Sequence, residues 1–519
     1  GLLYGVYHYL EDYCGVRFLS HDAEYIPKLD KLPDKDLNLS GKPTFPVRIL
    51  SSTIPNDNEY WVKCRLNRLG WSSPGIAKFG GLRNEGRPAP CHTFAYYLPT
   101  SKYFKTNPEY FAMNIDGERV GGDQYRGQPC LSNQTVRKIF LEKLKEYIES
   151  DIKRAKEHAV PSPQVYDITQ NDNQVYCRCK DCNDLAARYG GTQSGIMLDF
   201  VNELADGIKE LYPNLTLQTF AYQYTEELPT NIKARPNVSV IVCTTRRNLA
   251  QPLTDESNIY YQRLFEEWSK IAKVSVWNYA DTYCTPKNLP IASEFGFAED
   301  FKFYKKYNLH RCGSENSQIF YPEVREYKAY LMYHLMEDPY QDIEKLKKDF
   351  ATGYYGPAAK LFLQYREIIK ASQERHDSFM PMYPYGAGMY PHLDLDTVSK
   401  AQELFTEGRK LLKDDPVLLR RWNLAALGID RAALARRVAL IQEHIRQGGN
   451  IENFPLDLAT ICERARKTHL GYIDGILATL KNRAGEDPKL IENFERQKLR
   501  WQPLFSEIAA EHDSFAVPV

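Results

Sequence analysis

The feature that most constrains the fold is an alternation of short apolar runs with longer helical patterns between residues 47 and 313. The apolar runs predict eight strands: Val47–Thr53, Gly70–Ser73, Ala89–Phe94, Gln164–Thr169, Leu215–Tyr222, Val238–Thr244, Val274–Tyr279 and Leu309–Gly313. Helical spacing of apolar residues is clearest over residues 135–158 and 194–211. This alternation is typical of a (β/α)₈ barrel. An open doubly wound sheet is the alternative, because Thr225–Pro236 is too short for a full crossover helix.

The chain on either side of this region follows other patterns. Tyr4–Tyr13 predicts a helix, Gly15–Leu19 predicts a short strand, and Pro27–Pro46 reads as a polar connection punctuated by proline. After Pro322 only helical patterns remain, over residues 342–351, 358–375, 395–412, 416–446, 456–480 and 488–512. We therefore predict a partial α/β domain at 1–45, a catalytic barrel at 46–335 and an α-helical domain at 336–519.

Charge and composition exclude several classes of function. Lysine plus arginine and aspartate plus glutamate both total 67, so no net charge draws the chain to nucleic acid or to an anionic membrane. No apolar run approaches the roughly 18 residues of a transmembrane helix, and no glycine-rich phosphate loop follows a strand. The 36 tyrosines suit surfaces that are both apolar and hydrogen bonding, such as sugar-binding clefts. The chain begins without methionine inside an amphipathic pattern, and we expect an upstream segment.

In a barrel the catalytic residues lie at the carboxyl ends of the strands, which selects few polar residues. The candidates are Asn171, Asp172 and Asn173 after the fourth strand, Glu226 and Glu227 after the fifth, Trp277, Asn278, Tyr279 and Asp281 at the seventh, and Glu315 at the eighth. Carboxylates, amides and aromatic rings recur there, whereas a serine or cysteine beside a histidine base does not. Glycosidic cleavage needs this mixture of groups.

Each candidate also has a purely structural explanation. Asp172 could form an Asx turn or a helix cap, and Glu315 could be a carboxylate at a helix N-terminus. Glu226 and Glu227 could simply be exposed. His92 could be a core histidine, and Trp277 could serve only for packing.

Three cysteines, Cys177, Cys179 and Cys182, follow the fourth strand closely as C-x-C-x-x-C. A tetrahedral structural zinc needs four ligands, so Cys130, Cys91 or a histidine would have to complete the site. An intraloop disulfide and reduced, packed thiols are the alternatives. A thioredoxin-like role is disfavoured, since the C-x-x-C pair is not expected to open a helix directly after a strand. Catalytic zinc is disfavoured because thiolates leave little Lewis acidity and no H-E-x-x-H motif is present.

Several segments together resemble a known bacterial family. They are "RLNRLGW", "CHTFAYYLP", "NPEYFAMNIDGERV", "PCLSN", "DITQNDNQVYCRCKDC", "SGIMLDFVNELAD", "VSVWNYADTY" and "KKDFATGYYGPAAKLFLQY". As a set they are similar to a family of domains of unknown function that contains glycoside hydrolase family 163. The first residues, "GLLYGVYHYLEDYCGVRFLSHDAEYIP", resemble the end of the small α/β domain that precedes the barrel in hexosaminidases and α-glucuronidases.

The resemblance implies a retaining endo-β-N-acetylglucosaminidase that cleaves complex N-glycans by substrate assistance, in the periplasm, on the cell surface or secreted. No cofactor is required for such catalysis, and the partner is a glycan or glycoprotein. We expect Asp172, with Asn171, to orient and polarise the acetamide, and Glu315 to act as the acid. If Glu226 is the acid instead, Glu315 binds a hydroxyl group.

The remaining candidates are expected sugar contacts: Arg48, His92, Tyr222, Trp277, Asn278 and Tyr279. Two other functions stay open. One is a glycosidase of different specificity, for example on uronic acids or another hexosaminide. The other is a non-catalytic carbohydrate-binding protein on the same fold.

Overall fold

The computed structural model describes residues 2–33, 40–51, 58–67, 85–88, 91–122, 125–282, 289–315, 323–481, 491–492 and 494–496. Near the N-terminus, strands β1 (Arg17–Ser20) and β2 (Ala23–Tyr25) pair in antiparallel fashion. The main sheet has six parallel strands: β3 (Val47–Ser51), β4 (Val165–Asp167), β5 (Thr216–Ala221), β6 (Val238–Cys243), β7 (Lys273–Tyr279) and β8 (Arg311–Glu315). Their order across the sheet is β3-β8-β7-β6-β5-β4. The protein is therefore a mixed α/β structure built on a parallel sheet.

Six of the eight predicted barrel strands are present, with ends shifted by a few residues. The predicted second strand, at residues 70–73, lies outside the described residues. The predicted third strand is wrong in its described part, because Phe94 begins a helix rather than ending a strand. Glu85 instead forms an isolated parallel bridge with Val165, at the edge of the sheet beyond β4.

The sheet curls strongly, as one buried arginine demonstrates. Arg311 on β8 lies 3.5 Å from Asp167 on β4, and its other terminal nitrogen lies 3.3 Å from Glu85. Three strands separate β8 from β4, and strands about 4.8 Å apart would place them roughly 19 Å apart in a flat sheet. The curl brings both edges toward Arg311, so the inner face of the sheet is enclosed.

Helices flank the strands through the first two thirds of the chain. They are α1 (Leu2–His8), α2 (Asn58–Lys63), α3 (Phe94–Tyr97), α4 (Thr100–Tyr103), α5 (Gln134–Glu157), α6 (Lys180–Arg188), α7 (Gln193–Ile208), α8 (Ile259–Ser269) and α9 (Phe297–Lys306). The side chain of Asn133 caps α5, and that of Thr192 caps α7. Both long helices were predicted from apolar spacing. Between β5 and β6 only a short 3₁₀ turn forms, as the two prolines there led us to expect.

The last third of the described chain is helical, as predicted. It contains α10 (Arg325–Glu337), α11 (Ile343–Tyr355), α12 (Ala359–Arg375), α13 (Leu395–Leu411), α14 (Pro416–Ala435), α15 (Arg437–Arg446) and α16 (Leu458–Lys481). The sequence analysis missed α10 and merged α14 with α15, which are separated at Arg436. Most of the predicted helix at 488–512 lies outside the described residues. Among the described helices, none is both long enough and apolar enough to cross a bilayer.

One segment of this helical region turns back to the sheet. We call residues 376–394, between α12 and α13, the return segment. Met380 accepts a backbone hydrogen bond from Leu249 at 2.8 Å, and its own N–H donates to the Asn248 side chain at 2.9 Å. Asn248 and Leu249 lie in the loop after β6, so the return segment covers the carboxyl end of the sheet.

Candidate active site at the carboxyl end of the sheet

Strand register determines which side chains face the enclosed inner side of the sheet. Glu315 is aligned with Tyr279, and Gly313 is aligned with Trp277. Because side chains alternate between the two faces of a strand, Trp277, Tyr279 and Glu315 share the inner face. Asn278 lies between two of them in sequence and therefore points to the opposite face.

Glu315 is the last residue of β8 and is buried. Its carboxylate accepts a hydrogen bond from the Trp277 indole N–H at 2.8 Å. The ring of the same tryptophan lies 5.4 Å from the guanidinium of Arg311, below Glu315 on the inner face. Trp277 thus has two roles: its indole N–H orients the Glu315 carboxylate, and its ring packs over the Arg311 guanidinium.

Asp172 approaches the same end of the sheet from the loop after β4. Its carboxylate accepts a hydrogen bond from the Tyr222 hydroxyl at 3.0 Å. Burial, together with the nearby Asp172 carboxylate, raises the pKa of Tyr222, so the phenol keeps its proton and remains a donor. The contact joins the loops after β4 and β5 and fixes the orientation of Asp172.

Aromatic and apolar side chains line the space beneath these carboxylates. A small buried cluster contains Phe220, Ile241, Cys243, Trp277, Tyr279 and Met382, with Cys91 and Tyr222 packed against it. The ring of His92 lies 5.7 Å from Phe220 and 6.0 Å from Tyr222, and its Nδ1 is 2.8 Å from the carbonyl oxygen of Gln170. The predicted residues His92, Tyr222, Trp277 and Tyr279 therefore come together.

The return segment contributes two residues that the sequence analysis did not identify. Met382 completes the apolar cluster, and Tyr383 lines the neighbouring cleft. Burial raises the pKa of Tyr383, and the charges of Asp172 and Glu315 raise it further. The only sequence signal was the aromatic and proline-rich stretch "FMPMYPYGAGMY" inside an otherwise helical region.

A cleft of about 510 Å³ opens next to this group. Its walls include Tyr176, Tyr222, Tyr224, Glu226, Arg246 and Tyr383. Glu226 is buried and forms an ion pair with Arg246, which corrects the expectation that it is simply exposed. Burial raises the pKa of the Glu226 carboxyl despite the opposing effect of Arg246. Glu227 is exposed, as expected.

Two predicted site residues are used elsewhere. Arg48 is aligned with Cys312, which places it on the outer face, and its guanidinium donates to the carbonyls of Phe45 and Arg65. The amide oxygen of Asn278 accepts hydrogen bonds from Arg247 and Tyr304 on that outer side. These two predicted sugar contacts are thus not part of the group, because strand alternation turns them away.

Asn171 is close to the group, but its side chain is occupied. Its amide oxygen accepts from the N–H of Ala95 at 3.0 Å, and its amide nitrogen donates to the carbonyl of Gly127 at 2.8 Å. Both contacts hold the loop backbone. Asn171 therefore supports the position of Asp172, and Asp172 is the member of the pair that contacts Tyr222.

The cysteines form a second polar cluster behind the cleft wall. The sulfur atoms of Cys130, Cys177, Cys179 and Cys182 all lie within 4.8 Å of one another, and all four residues are buried. Cys130, one of three predicted alternatives, is thus the fourth member. Hydrogen bonding from Cys177 lowers the pKa of the Cys130 thiol. Four converging cysteines can hold a metal ion. Cys179 is the N-cap of α6 and Cys182 lies in its first turn; this helix was not predicted, but it does not directly follow β4.

Comparison with known proteins gives the fold and the family. A comparison with curated protein sequences finds no match. Two similar solved structures are family 89 glycoside hydrolases from Clostridium perfringens, one in complex with 2-acetamido-1,2-dideoxynojirmycin and one with PUGNAc. Their TM-scores are 0.53 and 0.51, and their identities are 11% and 12%.

Each comparison covers 96% of this chain but 63% of the other, so the chain spans less than two thirds of the length of those structures. At such identities the likeness concerns the fold. A family model described as "Domain of unknown function (DUF4838)" matches residues 18–367, which is more than half of the chain. The chain therefore belongs to the DUF4838 family.

Proposed function

We propose that this protein is a glycoside hydrolase that cleaves the glycosidic bond of an N-acetylated hexosamine. The observation that supports it most directly is that Asp172, in the loop after β4, and Glu315, the last residue of β8, both lie at the carboxyl end of the sheet. An aromatic side chain donates a hydrogen bond to each carboxylate, and the charges of both raise the pKa of Tyr383. Carboxyl groups framed by aromatic rings are what a glycosidase requires.

The fold supports the same proposal. The parallel strands, their order and the bridge at Glu85 agree with a (β/α)₈ barrel, in which the carboxyl ends of the strands form the active site. The similar structures are named as glycoside hydrolases, and one was solved with a ligand whose name contains the 2-acetamido group. An acetamido sugar is therefore the substrate class we propose for this chain.

In the proposed mechanism the substrate supplies its own nucleophile. The acetamido carbonyl oxygen attacks the anomeric carbon while Asp172 accepts a hydrogen bond from the acetamido N–H. Glu315 donates its proton to the leaving glycosidic oxygen as that bond breaks. The Glu315 carboxylate then takes a proton from water as that water attacks the anomeric carbon and the bond from this carbon to the acetamido oxygen breaks. The acetamido group is restored and the sugar is released with retained configuration. The Tyr222 and Trp277 donors hold the two carboxylates in position for these steps.

Glu226 is the second candidate for the acid. It lines the cleft, and burial raises its pKa, which is a property of glycosidase acids. If it acts as the acid, Glu315 binds a substrate hydroxyl. The Glu226 carboxylate is already paired with the Arg246 guanidinium, whereas Glu315 lies on the inner face at the end of β8, and for this reason we assign the acid to Glu315.

The finer proposal is an endo-β-N-acetylglucosaminidase of family 163, acting on complex N-glycans outside the cytoplasm. It is supported by the resemblance of the sequence segments quoted above. A glycosidase for uronic acids or another hexosaminide would instead leave complex glycoproteins intact and release sugar from other glycans. A glycan-binding protein would bind without cleaving.

The acid can be identified by comparing two substrates. A natural glycan has a poor leaving group that needs protonation, whereas a nitrophenyl glycoside does not. We expect Glu315→Gln to lower kcat/KM on the glycan by about 10²- to 10⁴-fold and to affect the nitrophenyl substrate far less. Asp172→Asn should lower both, because it impairs the attack of the acetamide.

Two further variants complete the test. Glu210→Gln, an exposed residue beyond α7, is the matched control and should retain full activity. A leaving-group dependence in Glu226→Gln rather than in Glu315→Gln would assign the acid to Glu226. Full activity of folded Glu315→Gln and Asp172→Asn proteins, or glycan binding by the wild type without cleavage, would contradict the proposal.

A further inference from the structure

We propose that Cys130, Cys177, Cys179 and Cys182 bind a single Zn²⁺ ion, and that this ion holds the loop containing Asp172 and Tyr176 against the cleft. The first half of the proposal concerns the metal and does not depend on the proposed glycosidase activity. The second half concerns the position of the loop, which forms part of the proposed active site.

The distances between the sulfur atoms fit a tetrahedral zinc site. A Zn–S bond of about 2.3 Å corresponds to sulfur atoms about 3.8 Å apart in a regular tetrahedron. The sulfur of Cys130 lies 3.7 Å from that of Cys179 and 3.7 Å from that of Cys182. A disulfide would need about 2.05 Å. Thiolates are soft ligands that prefer zinc to magnesium or calcium.

The site is closed, as structural zinc sites are. Four protein ligands complete a tetrahedron and leave no coordination position for water or substrate. The four cysteines are at most 8% exposed. This arrangement assigns the ion a role in holding chain segments together and no direct role in bond cleavage.

Other polar groups around the sulfur atoms support the ligands. The backbone N–H of Met113 donates to the Cys177 sulfur at 3.4 Å, and the Arg119 guanidinium lies 3.6 Å from it. The hydroxyl of Ser132 lies 3.0 Å from the Cys182 sulfur. Four thiolates around Zn²⁺ leave net negative charge, which the guanidinium offsets and which hydrogen-bond donors stabilise.

The ligands come from two segments that already meet at an amide network. Cys130 lies shortly before α5, and the other three cysteines lie in the stretch after β4. Gly127 accepts hydrogen bonds from Asn171 at 2.8 Å and from Asn173 at 3.1 Å, and the side chain of Gln128 donates to the Asn171 carbonyl at 2.8 Å. Asp172 lies between the two asparagines, so an ion at the cysteines would strengthen the junction that holds it.

The same loop reaches the cleft through Tyr176, which directly precedes Cys177. The ring centroids of Tyr176 and Tyr224 are 5.3 Å apart, and both residues line the cleft. A small cavity directly behind them is lined by Cys177 and Cys182. The cluster therefore stands one residue layer behind the surface that would contact substrate.

Metal analysis tests the first half. Chain purified from medium that contains both zinc and iron should hold about one zinc per chain by inductively coupled plasma mass spectrometry. Cys179→Ser should reduce the zinc content at least twofold. Cys462→Ser is the matched control, since this buried cysteine lies in α16 away from the cluster, and it should retain one zinc. Absence of bound metal in the wild type would overturn the proposal, and one iron per chain would overturn the assignment to zinc.

Hydrogen exchange tests the second half on the wild-type chain, with and without a zinc chelator. We expect peptides covering residues 168–179 to exchange about tenfold faster after chelation, while peptides from α13 and α14 stay unchanged. Equal exchange at 168–179 in the two samples would overturn the positioning role. Faster exchange throughout the chain would overturn it too, because the ion would then support the whole fold. Neither measurement requires catalytic activity, so failure of the proposed function would not affect the result.

Discussion

Two layers of charged and polar side chains occupy the inner face of the sheet, and they differ in how their carboxylates are held. The lower layer consists of Glu85, Asp167, Gln218 and Arg311, and all four are buried. The upper layer, at the carboxyl end, consists of Asp172, Tyr222, Trp277 and Glu315. In the lower layer the carboxylates meet a guanidinium, whereas in the upper layer Asp172 accepts a hydrogen bond from a neutral phenol and Glu315 accepts one from a neutral indole.

This difference in the partners of the carboxylates suggests that the lower layer serves stability and the upper layer serves reactivity. A guanidinium next to a carboxyl group balances its negative charge and so keeps the group ionised. A neutral donor orients a carboxylate without supplying an opposing charge, which suits a group that must transfer a proton or polarise a substrate. We therefore expect changes in the lower layer to affect folding and changes in the upper layer to affect activity.

The largest effect on folding should follow from replacement of Arg311, the cation of the lower layer. Arg311→Met would leave Asp167 and Glu85 buried without their guanidinium, and we expect a loss of about 3–5 kcal/mol in the free energy of unfolding. Chemical denaturation of the variant and of the wild type measures this loss. Arg235→Met is the matched control, because Arg235 pairs with Asp206 at the surface and should cost at most about 1 kcal/mol. Equal losses of unfolding free energy in the two variants would contradict the role of the lower layer in stability.

A smaller effect, on activity, should follow from Tyr222→Phe. The variant loses the hydrogen bond to Asp172, and a bond to a charged group contributes about 1.5–3 kcal/mol, or roughly 10- to 100-fold in kcat/KM. Kinetics on the acetamido substrate measure it, with the unfolding free energy recorded alongside. Tyr212→Phe removes a similar tyrosine contact, to Glu149 at the surface, and should leave the kinetics unchanged. A Tyr222→Phe protein that is unstable but fully active would contradict the division between the layers.

The return segment should contribute to binding more than to catalysis. Tyr383→Ala removes an aromatic wall of the cleft, and we expect KM to rise about 2- to 10-fold, which corresponds to a ring contact of about 0.5–1.5 kcal/mol. Tyr385→Ala, at a residue of the same segment that is 95% exposed, is the control and should leave KM unchanged. A lower kcat at constant KM would instead place Tyr383 among the groups that act on the transition state.

The smallest effect concerns an ion pair outside both layers. Hydrogen bonds to Asp12 and Glu337 raise the pKa of His8 to about 9 from 6.5. A raised pKa means that the folded state binds the proton more tightly, so this stabilisation is complete below pH 6.5 and is lost as the pH rises through 9. Because His8 is partly exposed, we expect less than about 1 kcal/mol. Denaturation of the wild type and of His8→Gln between pH 6 and 10 should show a decline only in the wild type; parallel curves would remove His8 as the cause.

Local sequence patterns predicted much of the fold. Short apolar runs located six parallel strands, and the polar residues at their ends included Asp172, Tyr222, Trp277 and Glu315. The same alternation could have excluded Asn278, which stands between two inward aromatic residues. Prediction failed where contacts join distant parts of the chain. The sequence around Arg311 does not indicate that Asp167 lies opposite it in the fold. The spacing of the cysteines likewise does not show that Cys130, rather than Cys91, is the fourth member of the cluster.

The return segment shows that the residues of this candidate site extend beyond the part of the sequence that the family model matches. The family model ends at residue 367, yet Met382 and Tyr383 stand in the cleft wall. A protein truncated at the family boundary would keep Glu315 and Asp172 and lose that wall. If the proposed function holds, related proteins could therefore change which glycan they accept by exchanging a few residues between two helices, while the strands that position the carboxylates stay the same.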